Sequence, residues 1–238
     1  MMLMPATPTP FPFAQASGDV PVLQNTLGSL AKVQSSEIGV DGATAGTVTF
    51  STVDSRDACY TGTSRNNKVY FNDETTILAN NDLFTISLWM RPTFSMVNGV
   101  ASTGSHIMFG LNDDGGVGDP GEWVYFGTSG ARWMVDNSIH VYFNSPTGFS
   151  FSADTWQHFG FVKNIAGIEG GSDTLRIYID NVKKWSSTQA IASNSTAMES
   201  FVLGSYDENT YSSSTGAETY FSEIKLFDKE ITDFSGVM

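Results

Sequence analysis

Between Thr155 and Lys184 the chain reads TWQHFGFVKN, a glycine-rich break, then TLRIYIDNVKK. The second segment alternates in strict period two. Leu175, Ile177 and Ile179 fall on one face, and Thr174, Arg176, Tyr178 and Asp180 on the other. Successive side chains of a strand point to opposite sides, so this is a half-buried strand with one wet face. Asp180-Asn181 then supplies a two-residue turn, because both residues tolerate the left-handed backbone that tight hairpins need. The pattern predicts an antiparallel hairpin. Its apolar face and Trp156 are expected in a core.

The rest of the chain reads the same way. From Val48 onward the sequence is short β-type runs punctuated by Gly, Asn, Asp and Ser. The expected strands are 47–53, 57–61, 67–72, 83–91, 105–111, 122–127, 131–135, 138–143, 155–163, 173–180, 182–187, 200–205 and 218–228. Many short strands with frequent turn signals predict a sandwich rather than an α/β fold. Before them, Leu23, Leu27, Leu30 and Val33 fall at helical spacing and predict a short amphipathic helix despite Gly28. Residues 1–16 form a Pro-rich stretch with Met4, Phe11 and Phe13 as apolar anchors. Such a stretch is either a loose tail or an arm that docks on a neighbouring subunit. The expected organisation is an arm and helix over 1–35, followed by a β domain over 36–238.

Charge narrows the partners. The chain carries 25 acidic and 12 basic residues, for a formal net charge of −13. Such a surface repels phosphate backbones, so nucleic acid is not an expected partner. No apolar run is long enough to span a bilayer. The N-terminus has no basic segment and its apolar residues are interrupted by prolines, so no signal peptide is expected. The single cysteine, Cys59, allows no intrachain disulfide and reads as a buried, inert thiol.

Several segments together resemble a known superfamily. FTISLWMRP at Phe84–Pro92, the TWQHFGFVKN and TLRIYIDNVKK hairpin, FVLGS at 201–205 and YFSEIKLFDKEIT at 220–232 occur in the order found in laminin-G-like and pentraxin-like domains. These belong to the concanavalin A-like lectin/glucanase superfamily. The resemblance covers roughly residues 57–234, with Asn181 where the pattern usually has Gly. It implies an all-β, concanavalin A-like jelly-roll sandwich of two antiparallel sheets, here preceded by the arm and short helix. It also implies that His158 is a framework residue, that Glu223 is acidic for structural reasons, and that loop carboxylates can hold calcium.

The chemistry of individual residues points toward binding rather than catalysis. Glucanases of the superfamily carry E-x-D-x-x-E on one strand, which places two carboxylates at working distance. That motif is missing here, and Glu218 and Glu223 have the wrong spacing. His106, His140 and His158 lack metal-ligand spacing, and a lone His supplies no nucleophile. In LNDDGGVGDPGEW, Asn112, Asp113, Asp114, Asp119 and Glu122 offer the hard oxygens calcium prefers, with Asp113, Asp114 and Asp119 the expected ligands. The same letters are also ordinary turn formers. Asp207, Glu208 and Asn209 make a second, weaker acidic loop.

Aromatic residues give the binding candidates. Alternation puts Val124 and Phe126 inside and turns Trp123 and Tyr125 outward. It puts Ile139, Val141 and Phe143 inside and His140 and Tyr142 outward. In FTISLWMR it leaves Trp89 outside beside Arg91. Exposed aromatics stack on sugar rings or pack on a protein partner unless loops cover them. Three functions are compatible with these features. The first is a non-enzymatic structural or attachment protein on a virus or phage particle, docked through its arm to other structural chains in an oligomeric assembly. The second is a secreted or cell-surface glycan-binding module. The third, a glycan hydrolase, is disfavoured by the missing carboxylate pair.

Overall fold

The computed structural model describes residues 19–72, 76–112, 120–135, 139–143, 149–193, 197–205 and 216–238. Met4, Phe11 and Phe13 of the arm, Asp113, Asp114 and Asp119 of the first acidic loop, and the 207–209 loop lie outside these residues.

Two large antiparallel sheets face each other, as the period-two pattern predicts. The elements in chain order are β1 (Leu23–Asn25), α1 (Leu30–Val33), β2 (Gly42–Ala45), β3 (Thr49–Val53), β4 (Arg56–Tyr60), β5 (Lys68–Asn72), β6 (Leu83–Pro92), β7 (Met96–Val97), β8 (Val100–Ala101) and β9 (Ser105–Asn112). They continue with β10 (Pro120–Gly127), β11 (Arg132–Val135), β12 (Ile139–Tyr142), β13 (Gln157–Asn164), β14 (Leu175–Ile179), β15 (Val182–Ser187), β16 (Ser200–Leu203) and β17 (Thr219–Phe227). One sheet runs β15-β14-β13-β6-β17-β4-β3, with β1 also paired to β17. The other runs β12-β11-β10-β9-β16-β5-β2. Sequence neighbours are often not sheet neighbours, so the chain crosses repeatedly between layers. This closes the core by long-range pairing, as sandwiches do.

The core is an aromatic lattice between the sheets. Phe109 meets Phe161 at 5.0 Å and Trp133 meets Phe161 at 5.9 Å between ring centroids, both edge-on. Such edge-to-face pairs add to the burial energy of large side chains. Leu175, Ile177 and Ile179 are buried in this core, as their alternation requires. Asp180 and Asn181 have φ of 51° and 60°, the left-handed pair expected at the hairpin turn. Cys59 is fully buried, and burial pushes its thiol up to about 12.

Three expectations are corrected. First, Leu23–Asn25 is a strand on β17, and only Leu30–Val33 is helical. The Asn25 carboxamide explains the break. Its Oδ1 accepts Leu27 N–H at 2.8 Å and its Nδ2 donates to the Lys32 carbonyl at 2.7 Å. This turn holds Leu27 at φ 56°, outside any helix. Leu23, Leu27 and Val33 are still buried, so residues 19–35 pack with the sandwich.

Second, the polar face of the hairpin is not wet. Tyr178 is buried beneath the C-terminal segment, where Ile231 and Phe234 form a small second core with Val162, Ile168 and Phe227, and Arg176 is buried against Glu169 and Asp173, which leaves Asp180 as the exposed member of that face. Asn181 ties this cover down. Its Oδ1 accepts Phe234 N–H at 2.8 Å and its Nδ2 donates to Asp233 at 3.0 Å. That gives a structural use for an Asn at a turn that glycine could also make. Gly160 completes the seat, because a Cβ there would overlap the Phe234 ring.

Third, Trp156 lies on this outer side, half-buried, with its indole N–H donated to the Val53 carbonyl at 3.0 Å. It is not a core residue.

Gly160→Ala should therefore lift the C-terminal cover. Overpacking of this kind costs roughly 1–3 kcal/mol, read as a lowered thermal midpoint with faster amide exchange over residues 231–238. An unchanged midpoint would show that Phe234 does not need this seat.

Candidate functional site

The outer face of β10, β11 and β12 carries the clearest cluster. Glu122, Val124 and Phe126 point into the sandwich, so Trp123 and Tyr125 point out. Their rings meet edge-on at 6.2 Å. Arg132, on the neighbouring strand, pairs in register with Tyr125 on one side and Tyr142 on the other. Its guanidinium lies 4.7 Å from the Tyr125 ring centroid and 5.3 Å from that of Trp123. Tyr142 is 54% exposed at the sheet edge. His140 pairs opposite Met134 on the same edge strand, and its side chain lies outside the described residues.

Two residues that the aromatic pattern did not single out hold this cluster in place. Ser105 Oγ lies 2.6 Å from the Tyr125 hydroxyl, which fixes the ring's tip. A Cβ on Gly127 would overlap the same hydroxyl. Gly127 ends β10, and a glycine in strand sequence often marks such a close approach.

Trp89 belongs elsewhere. It sits half-buried on the outer face of the other sheet, with the Arg56 guanidinium 3.9 Å over its ring and His158 edge-on at 5.5 Å. Arg56 is held in turn by an ion pair with Glu223, a residue at φ 48° beside a bulge in β17. The fold thus brings Trp123, Tyr125 and Tyr142 onto one sheet and leaves Trp89 on the opposite one.

The titratable groups are mostly committed to structure. Ser87 Oγ and His158 Nε2 are 2.8 Å apart, the spacing of a nucleophile and its base. Both are buried, His158 against Trp89 and Phe234, and its Nδ1 has no partner. Among the described residues no carboxylate meets Nδ1 and the Ser87 hydroxyl is buried, whereas a working nucleophile needs an oriented base and an accessible oxygen. Burial first, then the charges of Lys225 and Arg56, lower the pKa of His158 to about 3. His106 stacks flat on Phe94 at 3.6 Å and is likewise internal.

Glu122 is not available to a metal. It is fully buried, ion-paired with Lys163, and accepts the Trp133 indole N–H at 2.9 Å. Asn112 is also buried and donates to Ser200 Oγ at 3.2 Å. Among the described residues no group of three or more His, Cys, Asp or Glu could hold a metal ion. No helix of the described residues is long and apolar enough to cross a membrane.

No protein-family model matches the chain. No curated protein matches it by sequence. Solved structures do match by fold. The receptor-binding domain of botulinum neurotoxin D superposes with a TM-score of 0.59 at 14% identity over 89% of this chain and 50% of that one. The botulinum neurotoxin serotype G binding domain gives 0.61 at 13% identity over 89% and 48%. The serotype D ligand binding domain in complex with N-acetylneuraminic acid gives 0.58 at 16% identity over 89% and 48%. The chain therefore spans about half the length of the structures it matches. At these identities the likeness establishes an all-β, jelly-roll-like sandwich.

The buried imidazole makes a pH prediction. An unfolded histidine takes up a proton below about 6.5, whereas folded His158 stays neutral down to about 3. Between those values the unfolded state binds more protons, so stability should fall as pH falls. His158→Gln, which can keep the bond to Ser87, should lose stability less steeply across that window. Parallel melting curves for the two proteins between pH 6.5 and 3 would contradict it.

Proposed function

We propose that this protein is a non-catalytic, glycan-binding jelly-roll module whose ligand lies on Trp123, Tyr125 and Tyr142. The observation that carries the reading is the clustering of these outward aromatics around Arg132 on one sheet face. Aromatic faces stack on the apolar side of sugar rings, and a rigid ring loses little entropy on binding. A non-catalytic role agrees with the lack of a carboxylate pair in the sequence and with the burial of Ser87 and His158. The fold neighbours are toxin binding domains, one of them solved with a sugar. Within the sandwich class, the ordered motifs favour the concanavalin A-like, laminin-G-like branch.

Display on a larger assembly is the finer part of the proposal. Met4, Phe11 and Phe13 would bury against another structural chain, placing the module on a virion or in an extracellular setting. What supports this is the composition of that segment and its junction with the sandwich. Asp19 ion-pairs with Lys229 at 2.7 Å and lines a cavity of about 530 Å³ with Ile224, Phe227, Val237 and Met238. Calcium, as part of the same proposal, would be held by Asp113, Asp114 and Asp119 without Glu122.

Titration against a panel of saccharides tests the reading. Trp123→Ala should stay folded and bind roughly tenfold or more weakly, as loss of an aromatic anchor does. Trp156→Ala, on the other sheet, should bind like the wild type. Equal affinity for Trp123→Ala and wild type would remove this face as the site. Equal affinity in calcium and in EGTA would remove calcium from the proposal.

A further inference from the structure

We infer that the ligand of this face carries a carboxylate, so that the glycan is an acidic one built on a sialic or hexuronic acid. This rests on the glycan-binding reading and adds the chemical class of the sugar.

The inference starts from where positive charge is spent. The chain has 12 basic residues against 25 acidic ones. Seven of the twelve basic residues stand on described carboxylates: Lys32 on Glu37, Arg56 on Glu223, Arg91 on Asp54 and Asp154, Lys163 on Glu122, Arg176 on Glu169 and Asp173, Lys183 on Asp173, and Lys229 on Asp19. Arg132, like the lysines Lys184 and Lys225, does not. Among the described residues no carboxylate pairs with it, and its Nε is buried without an acceptor. Among the described residues its guanidinium meets the rings of Tyr125 and Trp123. On so acidic a protein a carboxylate partner is easily supplied, so its absence at the centre of an aromatic cluster requires a reason.

The stacking geometry supplies one. A guanidinium resting on aromatic faces uses its flat sides and keeps its in-plane N–H donors for a second partner. Those donors form a fork that matches a planar carboxylate with two parallel bonds. Nε itself is closed off, so the two terminal amino groups form the fork a ligand can reach, and a ligand that supplies their acceptor gains more than one that only stacks. The Tyr125 hydroxyl is already engaged by Ser105, which leaves the guanidinium as the principal charged donor of the cluster. A neutral sugar would stack on Trp123 without using Arg132. The surrounding net charge of −13 works against anions in general. Recognition of an acid here must therefore be local, and it weakens as salt screens the pair.

The test uses the full chain and two matched sugar pairs: N-acetylneuraminic acid with its methyl ester, and glucuronic acid with glucose. Binding is measured by ligand-observed NMR at low and high salt, with folding of each variant checked by circular dichroism. Wild type should prefer the acid of each pair by about tenfold or more, the usual reach of a charge-assisted hydrogen bond. Arg132→Gln should lose that preference while still binding the neutral sugars. Arg132→Lys, which keeps the charge but not the fork, should fall between them. Equal wild-type affinity for acid and neutral partner, or an unchanged preference in Arg132→Gln, would overturn the acidic class and leave glycan binding standing. If no sugar of either kind binds the wild type, the glycan reading and this inference both fall.

Discussion

The ion pair between Glu122 and Lys163 determines which residues face out. It joins β10 of one sheet to β13 of the other inside the aromatic core, with Trp133 donating to the second carboxylate oxygen. Removing either partner would leave an uncompensated buried charge, at a cost of roughly 3–5 kcal/mol. The pair also acts on register. Side chains of a strand alternate, so holding Glu122 inward forces Trp123 and Tyr125 outward. A slip of one residue would exchange the two sets and expose the core face. The contact thus holds, together with buried Val124 and Phe126, the register that turns Trp123 and Tyr125 outward.

The opposite sheet shows the complementary arrangement. Its outer face is rich in polar side chains, yet the C-terminal segment covers much of it. Thr85 Oγ1 donates to the Lys229 carbonyl at 2.8 Å and accepts Ile231 N–H at 3.0 Å, while Lys225 Nζ donates to the Val237 carbonyl at 2.8 Å. With Asn181 and the Phe234 seat over Gly160, these bonds turn a potential binding face into a second layer of packing. The two outer faces therefore differ in kind. One is closed by the chain's own terminus, and the other presents Tyr142 and the Arg132 cluster.

Much of this was legible in the sequence where periodicity governs. Leu175, Ile177 and Ile179 fell inside, Asp180 and Asn181 formed the turn, and Trp123, Tyr125 and Tyr142 turned outward because alternation is a local property. The misreadings come from non-local contacts. Leu23, Leu27 and Val33 keep helical spacing, but pairing of Leu23–Asn25 with β17 overrides it. Glu122 reads as a loop ligand until Lys163, 41 residues away in sequence, is found across the core. Tyr178 reads as wet because nothing near it announces Phe234, and Arg176 because its acceptor Glu169 lies in the loop before the strand. Gly127 lies against the Tyr125 hydroxyl, a contact that no neighbouring residue type announces.

In the proposed binding mode ligand is recognised on the β10–β12 face and not on the β6–β17 side. The five tryptophans are distributed so that one spectrum can decide it, since Trp123 lies in the cluster, Trp133 and Trp185 in the core, and Trp89 and Trp156 on the other sheet. In 15N-labelled protein titrated with an acidic saccharide, the Trp123 indole and Arg132 Nε–H signals should shift together while the Trp133 and Trp156 indoles stay fixed. Shifts confined to Trp89 and Trp156, or a Trp123 signal that does not move at saturation, would contradict the account.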